Sequence, residues 1–328
     1  MATLYIESSD IGLEMDHGAL ALRRNGELLQ RIPLLQLERC VVGPGVQLKS
    51  GMIATLAASG VSLLVVNPRQ DAYAVMAGSA RGEAGRRLGQ AAMALHAPTQ
   101  DRWARHWVRL KALGQARLLK RESERSAAAR AELLRASALI FAAAARLRAE
   151  PLTAESVRGV EGAASAAYFG ALPQLFAPSL GFEGRNRRPP RDPVNACLSL
   201  IYTMLYGAAV EAALACGLDP DTGFLHEPAP GRASLACDLV EPLRPAADRI
   251  VVELFRSRTL RKEHFHTSND GCLLGKAGRR AFYEAIEAAF GRMRTSLRRL
   301  ARHVARAADA VYVDIRRAGG IVPCGRSM

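Results

Sequence analysis

The chain has 328 residues, long enough for two domains with substantial cores. Hydrophobic residues make up 49% of it, which argues against intrinsic disorder, and its net charge of +14 suggests a polyanionic partner. The first residues lack the basic start and apolar stretch of a secretory signal peptide, and the longest purely apolar runs, such as 136–145 with Ser137 inside it, fall short of the ~20 residues of a membrane span. Six scattered cysteines with no Cys-x-x-Cys pair argue against a disulfide scaffold and a structural zinc. The expectation is a reduced, cytoplasmic protein without membrane contact.

The charge is unevenly spread. Residues 1–85 hold 7 basic and 8 acidic side chains, whereas residues 86–328 hold 38 and 23. Nearly all the cations are arginines, whose planar forks match phosphate oxygens. The composition shifts at the same place, so the reading is α+β: a small β-rich N-terminal domain over 1–85, then a larger all-α C-terminal domain over 86–328.

In the first part, Leu4-Tyr5-Ile6-Glu7 opens as a strand. Segments 19–23 and 28–33 flank Arg24-Asn25-Gly26-Glu27, and Asn-Gly between apolar runs is a strong hairpin signal. Segments 39–42 and 61–66 are further strands, with a short helix over 50–58 between them that Gly60 ends. After Gly82 the good helix formers Ala, Leu, Arg and Glu dominate. Trp103 and Trp107 share one helix face. Helices are predicted over 101–121, 126–149, 154–176, 193–215, 240–256 and 276–308, with a flexible tail over 316–328.

Three segments combine the residue types of metal-assisted chemistry. Glu161 lies among glycines and alanines in an apolar helix, where a buried carboxylate needs a cation or a donor; the alternative is an ordinary surface glutamate. His226 sits on a loop between apolar stretches, just past Asp219-Pro220-Asp221-Thr222, a placement that points toward function; the alternative is a structural histidine. Asp238 and Glu241 are three apart, hence on one helix face, and Arg244 is three further on. The same acids also suit a helix start before Pro242. Two or three carboxylates with one imidazole suit Mg²⁺ or Mn²⁺. Such an ion could clamp a phosphodiester while a basic helical domain grips the backbone. The loop from Gly184 to Asp192 carries Arg185, Arg187, Arg188 and Arg191 among prolines, a phosphate-contacting loop or a solvated connector, with Asp192 placed to cap a helix that starts at Pro193. Near the C-terminus Arg294, Arg298, Arg302 and Arg306 recur every four residues, a stripe for DNA backbone or a solvated face.

These motifs resemble a known family. Asn186-Arg187-Arg188-Pro189-Pro190-x-Asp192-Pro193-x-Asn195-Ala196-x-Leu198-Ser199, followed by Met204-Leu205-Tyr206-Gly207, is similar to the signature of the CRISPR-associated integrase family, Cas-one. Gly223-Phe224-Leu225-His226 resembles its histidine motif, the segment from Ser234 to Pro245 its acidic motif, and Glu161-Gly162-x-Ala164-x-x-x-Tyr168 its first ligand helix. The resemblance implies that Glu161, His226 and Glu241 ligate Mg²⁺ or Mn²⁺, that Asp238 supports them, that Arg244 meets a phosphate and that Tyr206 points toward the site and helps place the DNA end, while Arg187, Arg188 and Arg191 contact DNA on the loop reading given above. It also implies a homodimer that works with a small dimeric adaptation partner on double-stranded DNA. The implied reaction is strand transfer, in which a captured 3′-hydroxyl attacks a phosphodiester of the repeat array, with nuclease activity from the same centre. A catalytically silent DNA-binding subunit and a branched-DNA repair nuclease are the alternatives.

Overall fold

The computed structural model describes residues 2–67, 72–76, 84–186, 189–268 and 271–318. Arg187, Arg188 and the residues beyond Ala318 lie outside the described residues, and residues 316–318 of the predicted tail are helical.

Strands come first: β1 (Ala2–Ile6), β2 (Ile11–Asp16), β3 (Ala19–Arg24), β4 (Glu27–Pro33), β5 (Leu37–Val42), β6 (Gln47–Leu48), helix α1 (Ser50–Ala58), β7 (Ser62–Asn67) and β8 (Ala72–Met76). They form two four-stranded sheets, ordered β1-β5-β7-β8 and β4-β3-β2-β6. The predicted hairpin is β3–β4. Its turn needs left-handed backbone at both central residues, and Asn25 and Gly26 supply it with φ of 51° and 87°. The sheets and α1 enclose one core of Ile6, Leu13, Leu20, Cys40, Val42, Met52, Leu56 and Leu63. Alternation along β5 and β7 sends Val41, Leu64 and Val66 to the opposite face of the first sheet.

The helical part comprises α2 (Ala84–Leu95), α3 (Ala97–Ser123), α4 (Arg130–Ala149), α5 (Ala154–Ala171), α6 (Pro193–Ala215), α7 (Ser234–Val240), α8 (Arg244–Arg256) and α9 (Lys276–Ala318). It also carries a short hairpin of β9 (Phe265–Ser268) and β10 (Gly271–Leu274), which the sequence reading did not anticipate. The hairpin is held from outside itself: the Cys272 N–H donates to the Pro190 carbonyl at 2.7 Å.

Helix α6 starts as expected. Asp192 caps it by accepting from the Asn195 N–H at 2.8 Å, with Pro193 in its first turn. It is long and apolar enough to cross a membrane, yet 78% of its most apolar stretch is buried inside the protein, as befits the central helix of a core. Gly207 lets it approach the first sheet: a Cβ there would lie 2.8 Å from the Leu64 side chain.

Polar contacts join the sheets to α9. Tyr5 stacks on Tyr283 with centroids 4.5 Å apart, and the Tyr283 hydroxyl donates to Glu7 at 2.8 Å. Here the arginine stripe departs from both readings given above. Arg294 is buried against Glu38 at 3.1 Å, and Arg298 pairs with Glu38 at 2.8 Å and Glu211 at 3.4 Å. The N-terminal half of the stripe is thus neutralised against the strand layer, because β5 and α6 place glutamates opposite it. Only Arg302 and Arg306 stay exposed.

Helix α2 lies tightly along α9. A Cβ on Gly89 would fall inside the carbonyl of Ala308, backbone that cannot yield cheaply. Gly89→Ala should therefore destabilise by roughly 1–3 kcal/mol, the usual cost of overpacking. Thermal melting checks it: a drop of about 5 °C is expected at ~2–4 °C per kcal/mol, while Gly159→Ala, where nothing lies within 4 Å, should not fall.

Candidate active site

Helix α3 supplies the centre of the site through a residue that sequence reasoning passed over. Lys111 is only 7% exposed, and its ammonium lies between two carboxylates. It contacts Glu161 from α5 directly, and Glu241, at the end of α7, with Nζ–Oε2 of 2.7 Å. Gly114, one turn along, makes this approach possible: a Cβ there would meet Pro245 at 2.9 Å, so α3 runs close under the start of α8. A lysine buried this way stays charged only because opposite charges flank it. Burial works to lower its pKa, and Glu241 and Glu161 outweigh burial, leaving it above the ordinary lysine value.

The two glutamates differ in setting. Glu161 is partly exposed and accepts from the Ser165 hydroxyl at 2.9 Å. It is thus the partnered carboxylate of the two readings above. Glu241 is buried; its Oε1 accepts from Arg244 Nε at 2.8 Å, while Oε2 is a buried oxygen with no aligned hydrogen bond. Burial pushes Glu241 upward, but Arg244 and Lys111 overcome this and hold it well below the usual carboxylate range. Arg244 also lies over the Tyr202 ring, 4.5 Å from its centroid.

Asp238 is completely buried and serves the histidine loop. Its Oδ2 accepts from the Phe224 and Leu225 N–H groups at 2.6 and 3.0 Å. Its Oδ1 accepts from the His226 N–H at 3.1 Å and lies 2.7 Å from His226 Nδ1. The hydrogen-bond pattern puts the proton on Nδ1 and leaves Nε2 with its lone pair. The loop is also fixed from behind: Gln90 donates to the carbonyls of Asp219 and Thr222 at 2.8 Å each, and Phe224 stacks on Trp103. Asp238 is therefore the orienter of His226, not a side chain with spare acceptor capacity. Across the site, His226 is near enough that a positive charge on it would favour ionised Glu241.

A cavity of about 300 Å³ opens beside the centre, lined among others by Lys111, Glu161, Arg185, Tyr202, Arg244 and Asp248. Arg185, from the arginine-rich loop, is drawn inward by Asn195 Oδ1 at 2.8 Å and the Ser199 hydroxyl at 3.1 Å. Arg191 is exposed on the same loop, its N–H held by Asn186 Oδ1 at 3.0 Å. Tyr206 lies elsewhere than the cavity wall: its hydroxyl accepts from the Ala233 N–H at 2.7 Å and braces the start of α7. Lys111, Tyr202 and Asp248 were absent from the sequence-based set. For Lys111 a signal existed: Trp103, Trp107, Lys111 and Gln115 repeat every four residues along the buried face of α3.

The residues suit a divalent cation by donor chemistry. Glu161 and Glu241 converge on a position already occupied by positive charge, the Lys111 ammonium, Glu241 Oε2 lacks an aligned donor, and the imidazole of His226 offers a nitrogen donor across the site. Among the described residues, no three His, Cys, Asp or Glu side chains are close enough together to close a metal site as they stand.

Fold and centre together define the class: an α+β protein in which two carboxylates and a lysine, gathered from separate helices, open on a cleft lined with arginines, with a carboxylate-anchored histidine across the site. The family model for CRISPR associated protein Cas1 matches residues 4–288, and the chain belongs to that family. A CRISPR-associated endonuclease Cas1 of Thermodesulfovibrio yellowstonii is 33% identical over 291 residues, covering 88% of this chain and 91% of the relative. One from Rhodospirillum rubrum is 34% identical over 281 residues, 83% and 81% of the two chains. Among solved structures, a Cas1 protein from Thermotoga maritima superposes with a TM-score of 0.78 at 22% identity, over 92% of this chain and 96% of that one. A casposase bound to integration product superposes equally well, at 0.78 and 19% identity, over 93% and 91%.

Proposed function

We propose that this chain is a metal-dependent DNA endonuclease and strand-transfer integrase of CRISPR adaptation. The observation that carries the reading is the pairing of Glu161 and Glu241, 80 residues apart, on one cationic position beside an arginine-lined cleft, with the Asp238–His226 pair across the site. The relatives named endonucleases support it, as do the casposase with integration product, a Cas1–DNA complex and a Cas6-RT-Cas1–Cas2 complex among the structures of the same fold.

Glu161, His226 and Glu241 would hold Mg²⁺ or Mn²⁺. Bound there, such an ion lowers the pKa of an attacking hydroxyl and stabilises the departing oxygen. The protein's own groups do the rest. Asp238 keeps His226 in one tautomer and one orientation. Arg244 and Arg185 place fixed positive charge beside the scissile phosphate, where charge develops. A 3′-hydroxyl attacks phosphorus, one P–O bond forms as another breaks, and the exchange leaves no covalent enzyme intermediate. Water in place of the hydroxyl gives hydrolysis. The basic excess of the helical part supplies sequence-independent grip on the duplex, to which exposed Arg191 and the neighbouring Arg187 and Arg188 contribute. A homodimer joined to a small dimeric partner would position two such centres at the two ends of one captured duplex.

The test is joining of a short labelled duplex with free 3′-hydroxyls to a supercoiled plasmid bearing a repeat, with the partner protein, in Mn²⁺, Mg²⁺ or EDTA. Glu161→Gln, His226→Ala and Glu241→Gln should each lower joining by ~100-fold or more, as loss of an electrostatic or positioning group at a reaction centre does. Filter binding of the duplex should change by less than about threefold, because the phosphate grip lies elsewhere. Wild-type joining that persists in EDTA, or binding that falls in step with joining, would refute the assignment.

A further inference from the structure

Lys111 stands at the centre of the site with no role in the chemistry above. Its neighbours leave the centre electrically balanced: Glu161 and Glu241 face Lys111 and Arg244. A divalent cation entering this balanced cluster would meet two fixed positive charges within a few ångströms, and one of them must yield. Arg244 is the poorer candidate to move. Its Nε is bonded to Glu241 Oε1 at 2.8 Å and its guanidinium lies over the Tyr202 ring. Lys111 is held by a hydrogen bond to Glu161 on one side and by charge alone on the Glu241 side. Its ammonium is a point charge on a flexible four-carbon stem. Its contact with Glu241 Oε2, at 2.7 Å, is an ion pair without an aligned hydrogen bond. It also lines the cavity of about 300 Å³, so there is open space to move into.

We propose that Lys111 is the resident counter-ion of the Glu161–Glu241 pair and is displaced by a divalent cation, its ammonium moving into the adjoining cleft. Lys111 then does two things in turn. Without metal it keeps two carboxylates from repelling one another and holds α3, α5 and α7 together. With metal it becomes a third positive charge on a cleft wall that already carries Arg185 and Arg244, and so favours an anionic phosphate there. Metal occupancy and phosphate affinity are thereby coupled through one side chain. The inference rests on the metal reading given under the proposed function.

Two measurements test it on the full chain. The first is calorimetric titration with Mn²⁺ of wild type, Lys111→Gln and Lys111→Arg. Glutamine removes the competing charge but can still donate to both carboxylates, so Lys111→Gln should bind Mn²⁺ about tenfold more tightly, within the usual range of couplings between neighbouring sites. Lys111→Arg keeps the charge and should bind no more tightly than wild type. Wild-type binding with an unchanged or weakened Lys111→Gln would overturn the displacement and leave the metal reading intact. Absence of Mn²⁺ binding by both wild type and Lys111→Gln would overturn both.

The second measurement needs no variant and decides the matter even where Lys111→Gln fails to fold. The chain has only five lysines, Lys49, Lys111, Lys120, Lys262 and Lys276, so acetylation of each can be followed by mass spectrometry. Saturating Mn²⁺ should raise acetylation of Lys111 by roughly fivefold, the low end of such couplings, and leave the exposed Lys49 unchanged. Equal reactivity of Lys111 with and without bound Mn²⁺ would overturn the proposal.

Discussion

Asp238→Ala is expected to lower the melting temperature by about 10 °C and to take strand transfer to background. The carboxylate is fully buried and accepts from three successive backbone N–H groups, those of Phe224, Leu225 and His226, besides facing His226 Nδ1. Alanine would leave those donors in a dry site with no acceptor. Breaking such a buried network costs roughly 3–5 kcal/mol, and ~2–4 °C follows each kcal/mol in a chain of this size class. The loss of function has a separate cause, since without Asp238 neither the tautomer nor the ring orientation of His226 is fixed. His226→Ala separates the two effects. It removes the imidazole but keeps the backbone donors satisfied, so it should abolish joining while melting within about 2 °C of wild type. An Asp238→Ala protein that melts with wild type would show that the loop is anchored by something else.

How much of this was readable in the sequence depends on whether the signal was local. The Asn25-Gly26 hairpin and the Asp192–Pro193 start of α6 were legible because turn and cap chemistry resides in two or three adjacent residues. The period-two alternation of Ile11, Leu13 and Met15 is equally local and marks β2. The β9–β10 hairpin was not legible, because its second strand is pinned by the Pro190 carbonyl, some 80 residues earlier. In the site, Glu161, His226, Asp238 and Glu241 were found as residue types in motifs. What each does followed only from contacts across the fold: Asp238 orients, Glu241 is paired twice, and Tyr206 braces a helix. The arginine stripe on α9 failed for the same reason. Periodicity shows which side chains share a face, but not that Glu38 and Glu211 lie opposite Arg294 and Arg298.

Asp248 carries the second large expectation, in the pH dependence of stability. It is 1% exposed on the cavity wall, and its carboxylate accepts from the Tyr168 hydroxyl at 2.8 Å and from the Tyr202 hydroxyl. Burial pushes its pKa up to about 6, against the pull of the two tyrosines and of Arg244 and Arg185. Because the folded protein binds this proton more tightly than the unfolded chain, the associated stability is present in full below the unfolded value near 4. It is lost as the pH rises through about 6. A rise of about two pH units in pKa corresponds to roughly 3 kcal/mol. Asp248→Asn keeps the shape and can still pair with both tyrosines, but it does not titrate. Its stability relative to wild type should therefore increase by about 3 kcal/mol between pH 4 and pH 7.5, or ~6 °C or more in melting temperature. Glu241 titrates in the opposite sense, its stabilisation being lost only as the pH falls through a depressed pKa, and it is common to both proteins, so it cancels in the difference. Paired melts across that pH range decide the sign. A relative stability that falls with pH would mean that Arg185 and Arg244 hold Asp248 ionised, which would make it a standing negative charge on the cavity wall rather than a group neutralised on mild acidification.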